Sequence, residues 1–151
     1  MSDGKLSKPD QDFTAVIDAE FPQISTLPLP QALERLTALE KQTRQASDAV
    51  STKRILVKVV ELCAEANSWE TLNDEILAFS KKHGQLKAAI QGMVEEAWNL
   101  LKDKDWVAEG KVEERDKLIE TLRVVTEGKV RNAMRILSAN ARYLWKLRER
   151  E

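Results

Sequence analysis

The feature that most limits the fold is a helical spacing of apolar residues that begins at Gln31 and continues to the C-terminal segment. Its first stretch carries Leu33, Leu36 and Leu39, and no proline follows Pro30. Apolar residues that recur every three or four positions form one face of an α-helix. The pattern predicts an all-α fold, and an aromatic content of only 5% also favours helix over sheet.

Six or seven helices are predicted. The first covers 10–21 and ends at Pro22, and an extended linker follows to Pro30, because each proline pushes its predecessor out of the helical region. The later helices are expected at about 31–45, 48–67, 68–83, 85–102, 113–127 and 129–150, with a charged loop at 103–112. Ser47 or Asp48 is expected to cap the third helix and Ser68 the fourth.

The third helix is apolar nearly all round, which indicates burial on more than one side. No helix pair (31–67, 68–102 or 113–150) can hide its apolar faces alone, so neighbouring pairs must stack. The spacing of roughly 40 residues predicts a right-handed α-solenoid of antiparallel helix pairs, of the TPR or HEAT kind. A compact helical bundle is the alternative. The predicted core comprises Leu36, Ile55, Val59, Trp69, Leu72, Ile76, Ile90, Met93, Leu118 and Leu122.

No residue pattern typical of catalysis occurs in the sequence. His83 is the single histidine and is predicted at a helix end, where a cation meets the negative end of the dipole. Cys63 lies in the most apolar helix, where a thiol is inert. The phosphate-binding motifs GxxxxGK[ST] and GxGxxG are absent. We therefore expect a protein that is not an enzyme and has no catalytic residue, cofactor, metal or small-molecule substrate.

The charge and the single cysteine bear on partners and compartment. A net charge of −1 is evidence against nucleic acid as the main partner. A lone cysteine cannot form an internal disulfide, which favours a reducing compartment. No apolar run approaches the roughly 20 residues that span a membrane, and the polar N-terminus does not resemble a secretory signal. We expect a protein of the cytoplasm and nucleus that contacts no membrane.

Basic and aromatic side chains are the candidates for protein contact. Lysines and arginines form two predicted basic faces suited to acidic partners, and two tryptophans lie in charged surroundings. The first face comprises Lys41, Arg44, Lys53, Arg54 and Lys58, and the second comprises Lys81, Lys82 and Lys87. The tryptophans are Trp106, in the charged loop, and Trp145, beside basic residues. Local packing is the alternative role for these two tryptophans, and ordinary solvation is the alternative for each cation.

Several stretches resemble one family closely. They are LEKQTRQASD (39–48), SWETLNDEI (68–76), SKKHGQLK (80–87) and IETLRVVTEGK (119–129), with DFTAVIDAEFPQI (12–24) similar to fungal members. The chain is thereby identified as similar to the N-terminal arm of the fifth non-ATPase lid subunit of the 26S proteasome regulatory particle. The fourth subunit of the COP9 signalosome, a paralogue, is the second choice. A small nucleic-acid adaptor that uses the basic C-terminal helix is an alternative of another class.

The resemblance implies a scaffold without catalytic residues. Family members have an α-solenoid arm followed by a winged-helix PCI module, and they join other lid subunits, the ATPase base and the core particle. The expected organisation is a flexible N-terminus at 1–9, a solenoid arm at 10–128 and a divergent basic helix at 129–151, with the PCI module absent. The implied function is to support lid assembly and ubiquitin-dependent protein degradation through protein contacts.

The last 23 residues depart from the family. Residues 129–151 hold seven Lys or Arg against two Glu, where the family usually continues with an acidic helix. A cloning artefact, a natural variant and a translated intron would each explain the change. The apolar spacing within the segment still predicts a helix that packs on the preceding pair.

Overall fold

Six α-helices make up the fold in a computed structural model that describes residues 9–127, and no strand occurs in that range. The helices are α1 (Thr14–Ile24), α2 (Leu29–Gln45), α3 (Ala49–Glu65), α4 (Trp69–Ser80), α5 (Lys87–Asp103) and α6 (Val112–Glu127). The predicted all-α class is confirmed. The expected basic helix at 129–151 lies outside the described residues, as does nearly all of the expected flexible segment 1–9.

Helices pack against neighbours one and two positions along the chain. The central α3 contacts α2, α4 and α5, as expected for a helix that is apolar nearly all round. The α5 helix packs mainly against α3, and α4 packs mainly against α6. The two helices of the predicted pair 68–102, α4 and α5, therefore contact each other only slightly. This stacking of alternate helices is solenoid-like and buries one continuous core. All ten predicted core residues are buried, with at most 4% of their surface exposed.

The prediction that Pro22 ends the first helix is wrong, because α1 continues through Pro22 to Ile24. The proline removes only the bond to the carbonyl of Asp18, four residues earlier. Both residues lie on the exposed side of α1, where water can solvate that carbonyl. The helix continues because Ile24 is fully buried in the core, as is Ile17 two turns before it. The extended linker is accordingly shorter than predicted, since α2 already begins at Leu29.

Two helix starts that look alike in sequence differ in structure. Asp48 caps α3, since its Oδ1 accepts a bond from the backbone N–H of Ser51 at 3.1 Å. Ser68 holds the same position before α4, but its hydroxyl contacts Thr71 Oγ1 at 2.7 Å and makes no cap bond. Each of these starts follows a residue with left-handed backbone, Ser47 (φ 56°) or Asn67 (φ 53°), which reverses the chain after the preceding helix.

Candidate protein-contact surface

The first predicted basic face is divided, because two of its members hold α1. Arg54 Nη2 is 2.7 Å from Asp18 Oδ1, and its guanidinium lies 5.5 Å from the centroid of the Phe21 ring. Lys58 Nζ lies 5.8 Å from the same centroid. These are ion-pair and cation–π geometries. Arg54 and Lys58 therefore join α3 to α1 within the chain.

Lys53 projects to the other side of α3, where it crosses α5. A Cβ atom added at Gly92 would lie 2.6 Å from Lys53 Cγ and 2.8 Å from Cε. The lysine stem thus lies directly against Gly92, while the residue as a whole stays exposed. Lys53 both packs α3 on α5 and presents a charge to solvent.

Arg44 belongs to a partly buried polar junction between α2 and the loop that follows α4. Its Nε is 2.8 Å from Glu40 Oε2, and its Nη1 donates to the carbonyl of His83 at 2.8 Å. Gln85 Nε2 donates to the same Glu40 oxygen at 2.9 Å. Glu40 is fully buried, and these donors compensate for the hydrogen bonds to water that its side chain loses. The roles of Glu40 and Gln85 were not predicted from the sequence, although the i,i+4 spacing of Glu40 and Arg44 is a signal for the ion pair.

This junction places part of the first predicted basic face, Lys41 and Arg44, at the same end of the stack as Lys81 and Lys82 of the second. Lys41 lies one turn before Arg44 on α2, while Lys81 and Lys82 follow the end of α4 and Lys87 begins α5. We call Lys41, Arg44, Lys81 and Lys82 the basic end of α2 and α4. Lys41 and Lys81 are exposed, and Lys82 is half-buried. Cations are favourable there because the negative ends of two helix dipoles coincide.

The structure corrects the expected surface position of Trp106. Only 3% of its surface is exposed, and its ring centroid lies 4.8 Å from that of Trp69. The loop turns inward because Trp106 Nε1 donates to the carbonyl of Leu100 at 3.2 Å and the large ring completes the core. Trp106 is thus not available for contact, and Trp145 lies outside the described residues.

A groove of about 420 Å³ separates the N-terminal halves of α2 and α4, toward the opposite end of these helices from the basic end. Apolar residues, two threonines and two carboxylates line it: Leu29, Pro30, Leu33, Glu34, Thr37, Thr71 and Glu75. Desolvation raises the pKa of Glu75, the nearby Asp74 charge raises it further, and Lys82 partly offsets both. Sequence analysis did not single out this groove, because its two walls come from segments about 40 residues apart.

Stretches that carry the family resemblance meet in space. Glu40 of the 39–48 stretch and Gln85 of the 80–87 stretch are hydrogen-bonded. Likewise, Thr121 of the 119–129 stretch donates to Asn73 Oδ1 of the 68–76 stretch. Both bonds are buried or nearly so, and both join α2 or α4 to the helix or loop that stacks on it. The stretches that resemble the family therefore contain residues whose hydrogen bonds join stacked parts of the fold.

Among residues 9–127, no group of three or more His, Cys, Asp or Glu side chains could hold a metal ion. No helix within those residues is long and apolar enough to cross a membrane. Burial raises the pKa of the Cys63 thiol to about 12, with a smaller contribution from Glu75.

Comparison with known proteins gives a consistent set of relatives. The family model described as PSMD12/CSN4, N-terminal, matches residues 31–132. The 26S proteasome regulatory subunit RPN5 of Saccharomyces cerevisiae is 45% identical over 98 residues, which cover 63% of this chain and 22% of the relative. The 26S proteasome non-ATPase regulatory subunit 12 homolog B of Arabidopsis thaliana is 44% identical over 69 residues, 46% of this chain and 16% of the relative.

A third relative is the 26S proteasome non-ATPase regulatory subunit 12 of Dictyostelium discoideum. It is 35% identical over 94 residues, which cover 60% of this chain and 21% of the relative. The chain thus spans about a fifth of the length of the curated relatives that it matches.

Proposed function

The chain belongs to the PSMD12/CSN4 N-terminal family, and from that membership we propose that it is a non-catalytic scaffold subunit of the 26S proteasome regulatory lid. In this role it supports lid assembly and ubiquitin-dependent protein degradation through protein contacts. The observation that carries the proposal is the family match across 31–132, which covers the stacked helices α2 to α6. The names of the relatives favour the proteasome over the signalosome.

The surface chemistry supports a binding role. The basic end of α2 and α4 presents lysines that make no ion pair within residues 9–127, and such a patch favours acidic partners and speeds their association. We propose that the partners are other lid subunits, the ATPase base and the core particle, met in the cytoplasm and nucleus. The absence of a nucleophile–base pair in the sequence supports a role without catalysis.

Affinity purification tests this proposal. The tagged chain, expressed in cells of its own organism, should co-purify with 26S proteasome regulatory subunits identified by mass spectrometry. A variant with Lys41, Lys81 and Lys82 changed to Glu should recover less of them, because three attractive charges become repulsive. Recovery of signalosome subunits alone, or of no proteasome subunit, would contradict the proposal.

A further inference from the structure

We propose that the groove between α2 and α4 binds a lysine or arginine side chain from a protein segment whose acidic residue lies against the basic end of α2 and α4. The inference rests on the proposed function only in taking the partner to be a protein. The groove proposal adds which charged residues the bound segment carries and in which order they lie along α2 and α4.

The lining of the groove suits a long cationic side chain. Leu29 and Leu33 supply an apolar surface, and lysine and arginine pack their methylene stems on such surfaces while the charged head stays polar. Glu34 and Glu75 supply carboxylates on opposite walls, one from each helix. A cation between them gains charge-assisted hydrogen bonds, which are stronger than those between neutral groups.

In the described part of the chain, neither carboxylate has a cation in direct contact, although Lys82 acts on Glu75 from a distance and Glu34 is exposed to solvent. Within residues 9–127, neither Glu34 nor Glu75 forms an ion pair or accepts a side-chain hydrogen bond, whereas Glu20 and Glu40 beside the same helix are paired with Arg35 and Arg44. Glu75 is half-buried, and the direction of its pKa shift shows that its ionised form is disfavoured there. A bound cation would remove that cost, since an opposite charge close by favours the ionised form.

The face has opposite charges at its two ends. On α2, Lys41 follows Glu34 by seven residues, which places it roughly 10 Å farther along the axis. On the other wall, Lys82 likewise follows Glu75 by seven residues, and α2 and α4 run in the same direction because Arg44 meets His83 near their ends. A partner helix with a basic and an acidic residue seven positions apart on one side would match both regions. A uniformly basic segment would be repelled by the lysines, so the pattern selects for mixed charge.

A synthetic peptide pair provides the test. The probe is a fluorescein-labelled amphipathic helix with a leucine face that carries an arginine and, seven residues later, a glutamate. Its binding to the full chain is measured by fluorescence anisotropy. Changing Glu34→Lys and Glu75→Lys together should weaken binding about tenfold or more, because two favourable charge contacts are reversed.

The matched control reverses two exposed carboxylates elsewhere, Glu65→Lys and Glu113→Lys, and should leave affinity within about twofold. A second peptide with glutamate in place of the arginine should prefer the groove variant to the wild-type chain. The neutral variant Glu34→Gln with Glu75→Gln, checked for unchanged helix content by circular dichroism, should bind the first peptide with intermediate affinity.

Absent binding by the wild-type chain, or equal losses in the groove and control variants, would overturn the groove proposal. Either result would leave the scaffold proposal standing if proteasome subunits still co-purify. Conversely, peptide binding with the expected charge dependence but no co-purifying proteasome subunit would support the groove and remove the scaffold proposal.

Discussion

Trp69 and Glu40 show how single residues can be held in this core with an unmatched polar atom. Trp69 Nε1 and Glu40 Oε1 are buried without a hydrogen-bond partner in the described part of the chain. The Trp69 ring compensates by packing, since it contacts Trp106 and lies under the Lys104 ammonium, 5.3 Å from its centroid. Glu40 compensates through two donors on its other oxygen. Packing of the Trp69 ring thus holds the loop with Trp106 in place, and the hydrogen bonds of Glu40 hold the loop that follows α4.

Replacing Trp106 by alanine should lower the free energy of unfolding by about 3–5 kcal/mol, because it leaves a cavity beside Trp69. Val107 is the matched control, since 56% of its surface is exposed one residue away in the same loop. Val107→Ala should change stability by no more than about 0.5 kcal/mol. Urea unfolding followed by circular dichroism measures both values. Equal effects of the two changes would show that the loop does not pack inward.

Glu96 should make stability depend on pH. Desolvation raises its pKa, with added repulsion from Glu61 and Asp103. A raised folded pKa means that the ionised form destabilises the fold at pH 7, and that this cost disappears as the pH falls below the unfolded value of about 4.3. Glu96→Gln should therefore stabilise the protein at pH 7 and have little effect below pH 4. Urea midpoints across this range, with exposed Glu65→Gln for comparison, test the prediction, which fails if the gain is independent of pH.

At the scale of the helices, apolar spacing was sufficient to predict the fold class, the order of the helices and the core residues. Contacts between segments that are distant in the chain could not be predicted from it. The α2 and α3 boundaries follow from their periodic leucines and valines and from the Asp48 cap. The α1 end was missed because burial of Ile24 outweighs the lost hydrogen bond at Pro22. The sequence indicated which types of residue make contacts but not where they lie in the fold. Only the fold shows that Arg44 meets His83 and that Trp106 turns inward.

The two helix starts described above should respond differently to alanine. Asp48→Ala removes the cap of α3 and also the acceptor for the backbone N–H of Phe13, 2.8 Å away, so it should cost about 2 kcal/mol. Ser68→Ala removes only a contact between two hydroxyls and should cost about 0.5 kcal/mol or less. Thermal unfolding of both variants gives the comparison. A larger loss from the serine change would mean that Ser68 does cap α4.

Considered as a whole, the described molecule is a stack in which α3 is the centre. It contacts three other helices and contributes eight buried residues, Cys63 among them. The α1 helix, by contrast, contributes only Ile17 and Ile24 to the buried core, and ion pairs and cations over Phe21 add to its attachment. Surface ion pairs are weak and are screened by salt. The stack therefore has a tightly packed centre and a more weakly attached first helix.

Cys63 reports on opening of the whole stack. Its thiol is fully buried and its pKa is raised to about 12, so at pH 8 it should react with iodoacetamide at least about 100-fold more slowly than in the unfolded chain, where the pKa is about 8.5. Mass spectrometry of timed samples, with and without 6 M guanidinium (about 6 M suffices for most domains), measures the ratio. Similar rates in the two conditions would show that the centre opens readily.

The bonds that link alternate helices also bear on how the protein is made. Glu40 and Gln85 are 45 residues apart, and Asn73 and Thr121 are 48 apart. Each contact therefore needs only the sequence up to 45 or 48 residues later in the chain, and nothing beyond it. Synthesis proceeds from the N-terminus, so the helices that lie earlier in the chain are available first. The order of the contacts is therefore compatible with folding during translation, in which α4 and α5 pack on α3 and α6 then packs on α4 and α5.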